Sequence, residues 1–159
     1  MRARATSVLK WFSALYVVLI FIQVYLAGEG IFGLNVIKHS DDCDKTGAQV
    51  VTAHCAGNSK TLDAHRALGF FLTFPGAVLF LIVALIAWVP NKRIRIVSIL
   101  VPILTFVQMI LPALGRWGGA LHPVNAIVIL LMYGWLFFTL RKWRPEPAVA
   151  PAPAVAPTG

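Results

Sequence analysis

A chain of 159 residues that is 58% hydrophobic and only 13% charged, with a mean hydropathy of +0.78, does not fit the composition of a soluble globular domain, in which about a quarter of the residues are charged. Fourteen Lys and Arg against six Asp and Glu give a net charge of +8. The basic residues sit in short clusters beside apolar runs rather than in a stripe interleaved with aromatics, which excludes a nucleic-acid reading and points to an integral membrane protein.

The first apolar run covers about residues 10–28, behind a short N-terminus (1–9) carrying Arg2 and Arg4, with Lys10 at its start. It is longer than the apolar core of a secretory signal, and Gln23-Val24-Tyr25-Leu26-Ala27-Gly28-Glu29 is a poor cleavage site, so it reads as a retained helix. A loop from 29 to 65 follows and holds five of the six acidic residues, Glu29, Asp41, Asp42, Asp44 and Asp63. The only cysteines, Cys43 and Cys55, lie in this loop. An even count on the oxidising side of a membrane predicts one disulfide, a staple of roughly 3 kcal/mol for a loop of about a dozen residues. A redox-active pair assisted by His54 is the functional alternative. Zinc held by Cys43, Cys55, His39 and His54 is disfavoured by irregular spacing and an oxidising compartment.

The second run, about 66–89, opens with His65-Arg66-Ala67-Leu68-Gly69 and contains Pro75 and Gly76. A turn with Lys92, Arg93 and Arg95 leads to the third, about 94–114, with Pro102, Gln108 and Pro112. Another short connection, carrying Arg116 and Trp117, leads to the fourth, about 121–140, which opens with His122-Pro123-Val124-Asn125-Ala126. Each run suffices to cross a hydrocarbon core about 30 Å thick. Arg141, Lys142 and Arg144 follow the last run, and 145–159 is a Pro/Ala-rich tail with the composition of a disordered or polyproline-like segment.

These elements predict an all-α fold: a four-helix up-down-up-down transmembrane bundle over 10–144 with a disulfide-stapled extracytoplasmic loop. The positive-inside rule places both termini and the turn near 90–95 in the cytoplasm of a bacterial inner membrane. Trp11, Trp88, Trp117, Trp135 and Trp143 fall near span ends, as in an aromatic belt.

A weak internal repeat organises the candidate site. Phe21-Ile22-Gln23 matches Phe106-Val107-Gln108, and each is followed across an outer loop by a helix that opens with histidine, 42 residues after the glutamine in the first hairpin and 14 in the second. Parallel repeats related by an axis along the membrane normal would set His65 and His122 opposite each other. Two imidazoles facing across a bundle can ligate the iron of a b-type haem, and bis-imidazole ligation favours electron transfer. The small residues Gly69 and Ala126, one turn below each histidine, would admit the ring face, with Gly76 extending the cleft. Arg66 and Arg116 would pair with the propionates, and Gln23 and Gln108 would donate to an imidazole or a propionate. Read without a cofactor, the histidines are interfacial residues at helix starts and the glutamines are interhelical glue.

The strings around His65 and His122, with the Gln23 and Gln108 contexts, resemble a family of small uncharacterised bacterial four-helix membrane proteins over about residues 8–140. More distantly, the pattern is similar to one four-helix half of haem A synthase. That likeness implies that His65 and His122 correspond to haem ligands and Cys43 and Cys55 to a loop cysteine pair. This chain has only one such half, its cysteines are more widely spaced, and no Glu sits close to them, so synthase activity is not implied. The expectation is a haem b protein that passes electrons to a quinone or an extracytoplasmic redox partner. The alternative is a non-catalytic accessory subunit of a larger membrane complex, without cofactor. A transporter is weaker, because no charged residue lies mid-span.

Overall fold

The computed structural model describes residues 2–38 and 59–143. The expected Cys43–Cys55 disulfide, most of the cap formed by the 29–65 loop and the 145–159 tail lie outside the described residues. Every described element is helical, in keeping with the expected all-α class: α1 (Arg2–Lys38), α2 (Ser59–Phe71), α3 (Ala77–Ala87), α4 (Lys92–Ile110) and α5 (Gly115–Lys142).

Among the described residues three helical stretches are long and apolar enough to cross a membrane, Arg2–Gly28, Asp63–Ala87 and Lys92–Lys142. The four separate spans expected from hydropathy are therefore three stretches, and the third needs explaining. A straight helix of its 51 residues would be about 75 Å long, more than twice the hydrocarbon thickness. Instead it folds back, so that α4 and α5 lie side by side. A single 3₁₀ turn, Leu111–Leu114, with Pro112 near its start, tightens the end of α4. Gly115 then adopts φ +72°, a backbone that favours glycine. Gly118 lies against the Leu111 carbonyl so closely that a β-carbon there would overlap it. The loop expected between the third and fourth runs is thus absorbed into helix.

The second stretch carries its own irregularity. Pro75 has no N–H to offer the carbonyl four residues back, and Leu72–Gly76 widens into one π-helical turn between α2 and α3. The Leu72 carbonyl accepts the Tyr16 hydroxyl at 2.8 Å. The other end of α3 stops at Trp88 in a left-handed conformation, and Asn91 caps α4 by accepting the N–H groups of Arg93 and Ile94 at 3.0 and 3.2 Å.

The rods pack in the cyclic order α1, α2/α3, α4, α5. Their shared core is a cluster of rings at mid-height. Tyr16 and Tyr133 stack with centroids 4.3 Å apart, and Phe80 meets Tyr133 edge-on at 5.0 Å. Outside this seam large apolar side chains face outward on every rod, including Val18, Phe21, Leu79, Ile103, Leu131 and Phe138. That distribution suits lipid, where rods are held by close packing and interhelical hydrogen bonds rather than by hydrophobic burial. The expected belt tryptophans are exposed or half-buried, and Arg95 lies over Trp88 and Lys10 over Trp11 at 4.8 and 5.0 Å from the ring centroids.

The repeat extends beyond the matched strings. At one constant offset Leu9, Ser13 and Gln23 of α1 correspond to Ile94, Ser98 and Gln108 of α4. Leu9 and Ile94 are both buried, and Ser13 and Ser98 both donate to the carbonyl one turn earlier, at 2.8 and 2.6 Å. Hydrogen bonding of this kind hides a polar side chain in an apolar helix.

Candidate functional site

Each hairpin is closed at one end by a reciprocal histidine–glutamine clamp. In the first, Gln23 Nε2 donates to the His65 main-chain carbonyl at 2.7 Å, while His65 Nδ1 donates to the Gln23 carbonyl at 3.1 Å. In the second, Gln108 Nε2 donates to the His122 carbonyl at 2.9 Å and His122 Nδ1 donates to the Gln108 carbonyl at 3.0 Å. A carbonyl only accepts, so Nδ1 must carry the proton in both rings. In the neutral imidazole that leaves the Nε2 lone pair unused.

Both histidines line one cavity of about 820 Å³ between the two hairpins, well within the size range of ligand pockets. Its floor includes Tyr16, Leu72, Thr73, Thr105 and Ile129, and its walls are mostly apolar. Gln23, Gln108, Arg66, Gly69 and Ala126 line it as well. Among the described residues no group of three or more His, Cys, Asp and Glu side chains is gathered to hold a bare metal ion. Two imidazoles are a donor set that could complete the coordination of an iron already held by four porphyrin nitrogens.

Several expected roles change on inspection of the geometry. The amides of Gln23 and Gln108 bond to the histidine main chains, not to an imidazole; the glutamine carbonyls hold the rings. Gly69 lines the cavity but its missing side chain serves the clamp, because a β-carbon there would stand 2.8 Å from Gln23 Nε2. The amide must reach the His65 carbonyl just where that carbonyl points down the helix to residue 69, so a bulky side chain at that position crowds it. Ala126, at the matching position, accommodates a slightly longer bond. Gly76 does not extend the cleft: the Tyr16 hydroxyl fills the space its β-carbon would take. Arg116 is exposed and does not line the cavity, whereas Arg66 does, beside Asp63 at 3.6 Å. Only one of the two expected arginines is therefore available at the rim.

Two features escape a reading of the sequence. Asn125 Nδ2 donates to Gln108 Oε1 at 2.7 Å and to the Leu104 carbonyl at 3.1 Å, which locks the second clamp. Its counterpart in the first hairpin is Leu68, which has no donor, and Gln23 Oε1 is buried without a partner. The Tyr16–Tyr133 stack beneath the cavity is the other, and it emerges only when the two hairpins pack. The repeat register pairs His65 with His122 and so Leu68 with Asn125, which is the signal that could have found the first.

No protein family, curated protein or solved structure matches the chain. The resemblance to a haem A synthase half therefore rests on the quoted residues alone.

Proposed function

We propose that this protein is an integral membrane, cytochrome b-like haem protein, with haem b held between His65 and His122 and electrons passed to a quinone or an extracytoplasmic redox partner. The observation that carries the reading is the pair of Nδ1–H bonds to main-chain carbonyls, which commits each ring to the tautomer whose Nε2 can bind iron. Metal-binding histidines are held in the same way, by a carbonyl or carboxylate on the other nitrogen. Both rings border a single cavity of cofactor size with apolar walls. Arg66 is the rim cation suited to a propionate. When bound, the haem would supply one-electron chemistry. The chain would supply the two nitrogens, exclusion of water by the apolar walls, and the Tyr16 ring at the cavity floor.

In this reading Lys92–Lys142 crosses the membrane twice, giving four crossings. The basic residues at the Arg2, Lys92 and Lys142 ends of the rods mark the cytoplasmic side of a bacterial inner membrane, and the histidines lie toward the other face. Cys43 and Cys55 then sit on the oxidising side, where a disulfide is stable.

A second reading is favoured by the same bonds. Each clamp is self-contained and links two rods, so the histidines serve equally as staples in an accessory subunit of a larger membrane complex. The two readings separate on the absorption spectrum of protein purified in detergent from haem-replete cells. The haem reading expects a red protein with a sharp reduced α-band, lost in both His65→Ala and His122→Ala. A colourless preparation supports the accessory subunit.

A further inference from the structure

We infer that the two imidazoles are unequal ligands: His122 is firm and His65 exchangeable, so the haem of the proposed function takes a small neutral ligand such as carbon monoxide on its His65 face. This rests on the haem reading and goes beyond the closed, purely electron-transferring site expected from two histidines.

Three independent observations point the same way. The first is the lock. Gln108 is satisfied at both ends of its amide, by the His122 carbonyl and by Asn125. Gln23 is satisfied only at Nε2, its buried Oε1 lacks a partner, and the matching residue Leu68 cannot supply one. A half-satisfied buried amide weakens the network that contains it. The second is packing. Among the described residues α2, which carries His65, makes its substantial interhelical contact with α1 alone, and contact of this rod with α4 begins only at the Leu72–Gly76 turn and α3. The third is the joint below. The π-helical turn at Leu72–Gly76, with Pro75 inside it, separates α2 from the better-packed α3, and irregular turns of this kind are where helices bend. His122 by contrast sits in a helix, Gly115–Lys142, that stays α-helical through Pro123.

The movement required is small. The α2 limb tilts on the Leu72–Gly76 turn and draws the His65 ring away from the Gln23 carbonyl of α1, so the first clamp opens. The iron–Nε2 bond breaks and an iron–carbon bond forms. Each donor brings its own electron pair, so the metal's oxidation state and the proton count are unchanged. The apolar cavity walls suit a neutral diatomic and disfavour a charged ligand.

Leu68→Asn tests this by giving the first hairpin the donor that the second has. In the reduced, haem-loaded protein, carbon monoxide affinity should fall about tenfold, the effect of roughly 1.4 kcal/mol of added clamp, while the α-band is unchanged. Asn125→Leu, which frees the second clamp, should raise the affinity several-fold. A second measurement needs no haem. In the ligand-free protein, nitrogen-15 NMR should show the His65 Nδ1 proton exchanging about tenfold faster than that of His122, and Leu68→Asn should bring the two rates together. Wild-type carbon monoxide affinity in Leu68→Asn, or equal exchange rates in the unmodified protein, overturns the inequality while leaving haem binding intact. Absence of haem overturns the proposed function and the ligand site with it.

Discussion

At His65 and His122 a main-chain carbonyl on the neighbouring rod holds one ring nitrogen and so determines what the other can do. The bonds are ordinary in strength, about 1 kcal/mol each within a membrane, but their geometry depends on what stands one turn below. Gly69→Val puts a branched side chain where Gln23 Nε2 lies, and we expect a loss of about 1–3 kcal/mol despite valine's better helix propensity. Gly119→Val, where nothing lies within 4 Å, should change stability by less than about 0.5 kcal/mol. Chemical unfolding in detergent micelles followed by circular dichroism reads both. The glutamines should also differ. Gln108→Leu breaks a network that includes Asn125, whereas Gln23→Leu removes an unsatisfied buried oxygen along with its bond. Gln108→Leu is therefore the costlier of the two by about 1 kcal/mol; equal costs would deny that Asn125 stabilises its clamp. The paired histidines and glutamines are legible in the sequence because the repeat carries them. The Asn125 lock shows there only as a mismatch in the repeat, Leu68 against Asn125, with nothing to say what the asparagine bonds.

Among elements, the Leu72–Gly76 turn does most to shape the molecule. Pro75 removes one donor, the helix widens, and the Tyr16 hydroxyl enters to bond the Leu72 carbonyl in the space that Gly76 leaves. Gly76→Ala should destabilise the fold by about 1–3 kcal/mol through overlap with that hydroxyl. In the Tyr16→Phe background the same change should cost less, with a coupling energy of about 1 kcal/mol in a double-mutant cycle. Additive effects would mean that Gly76 and Tyr16 do not share the space. The proline and glycine are visible in the sequence as a break. What fills the break is not, since Tyr16 is 56 residues away along the chain. The same limit explains the turn at Leu111–Gly115. Pro112 and Gly115 signal an interruption in hydropathy, but only the close approach of Gly118 to the Leu111 carbonyl turns an expected loop into an abrupt reversal within helix.

For the whole molecule, the composition and the length of the apolar runs already indicate a helical membrane protein, because lipid leaves a backbone few alternatives to the helix. Register between the hairpins is less legible, since every rod is apolar all round and periodicity cannot say which face turns inward. The cavity arises from that register: two clamped hairpins meet at the Tyr16, Phe80 and Tyr133 rings and stand apart where the histidines are. The proposed orientation predicts a labelling pattern. In a background lacking Cys43 and Cys55, Trp117→Cys should react with a membrane-impermeant thiol reagent on intact spheroplasts, and Lys92→Cys should not; the reverse pattern would invert the topology. The central claim, that His65 and His122 together hold one haem iron, is tested most directly by low-temperature electron paramagnetic resonance of the oxidised protein purified from haem-replete cells. The expected result is a low-spin bis-imidazole signal at one haem per chain, converted to high spin or lost in both His65→Ala and His122→Ala. A low-spin signal that survives either substitution, or a protein that carries no haem, would contradict it.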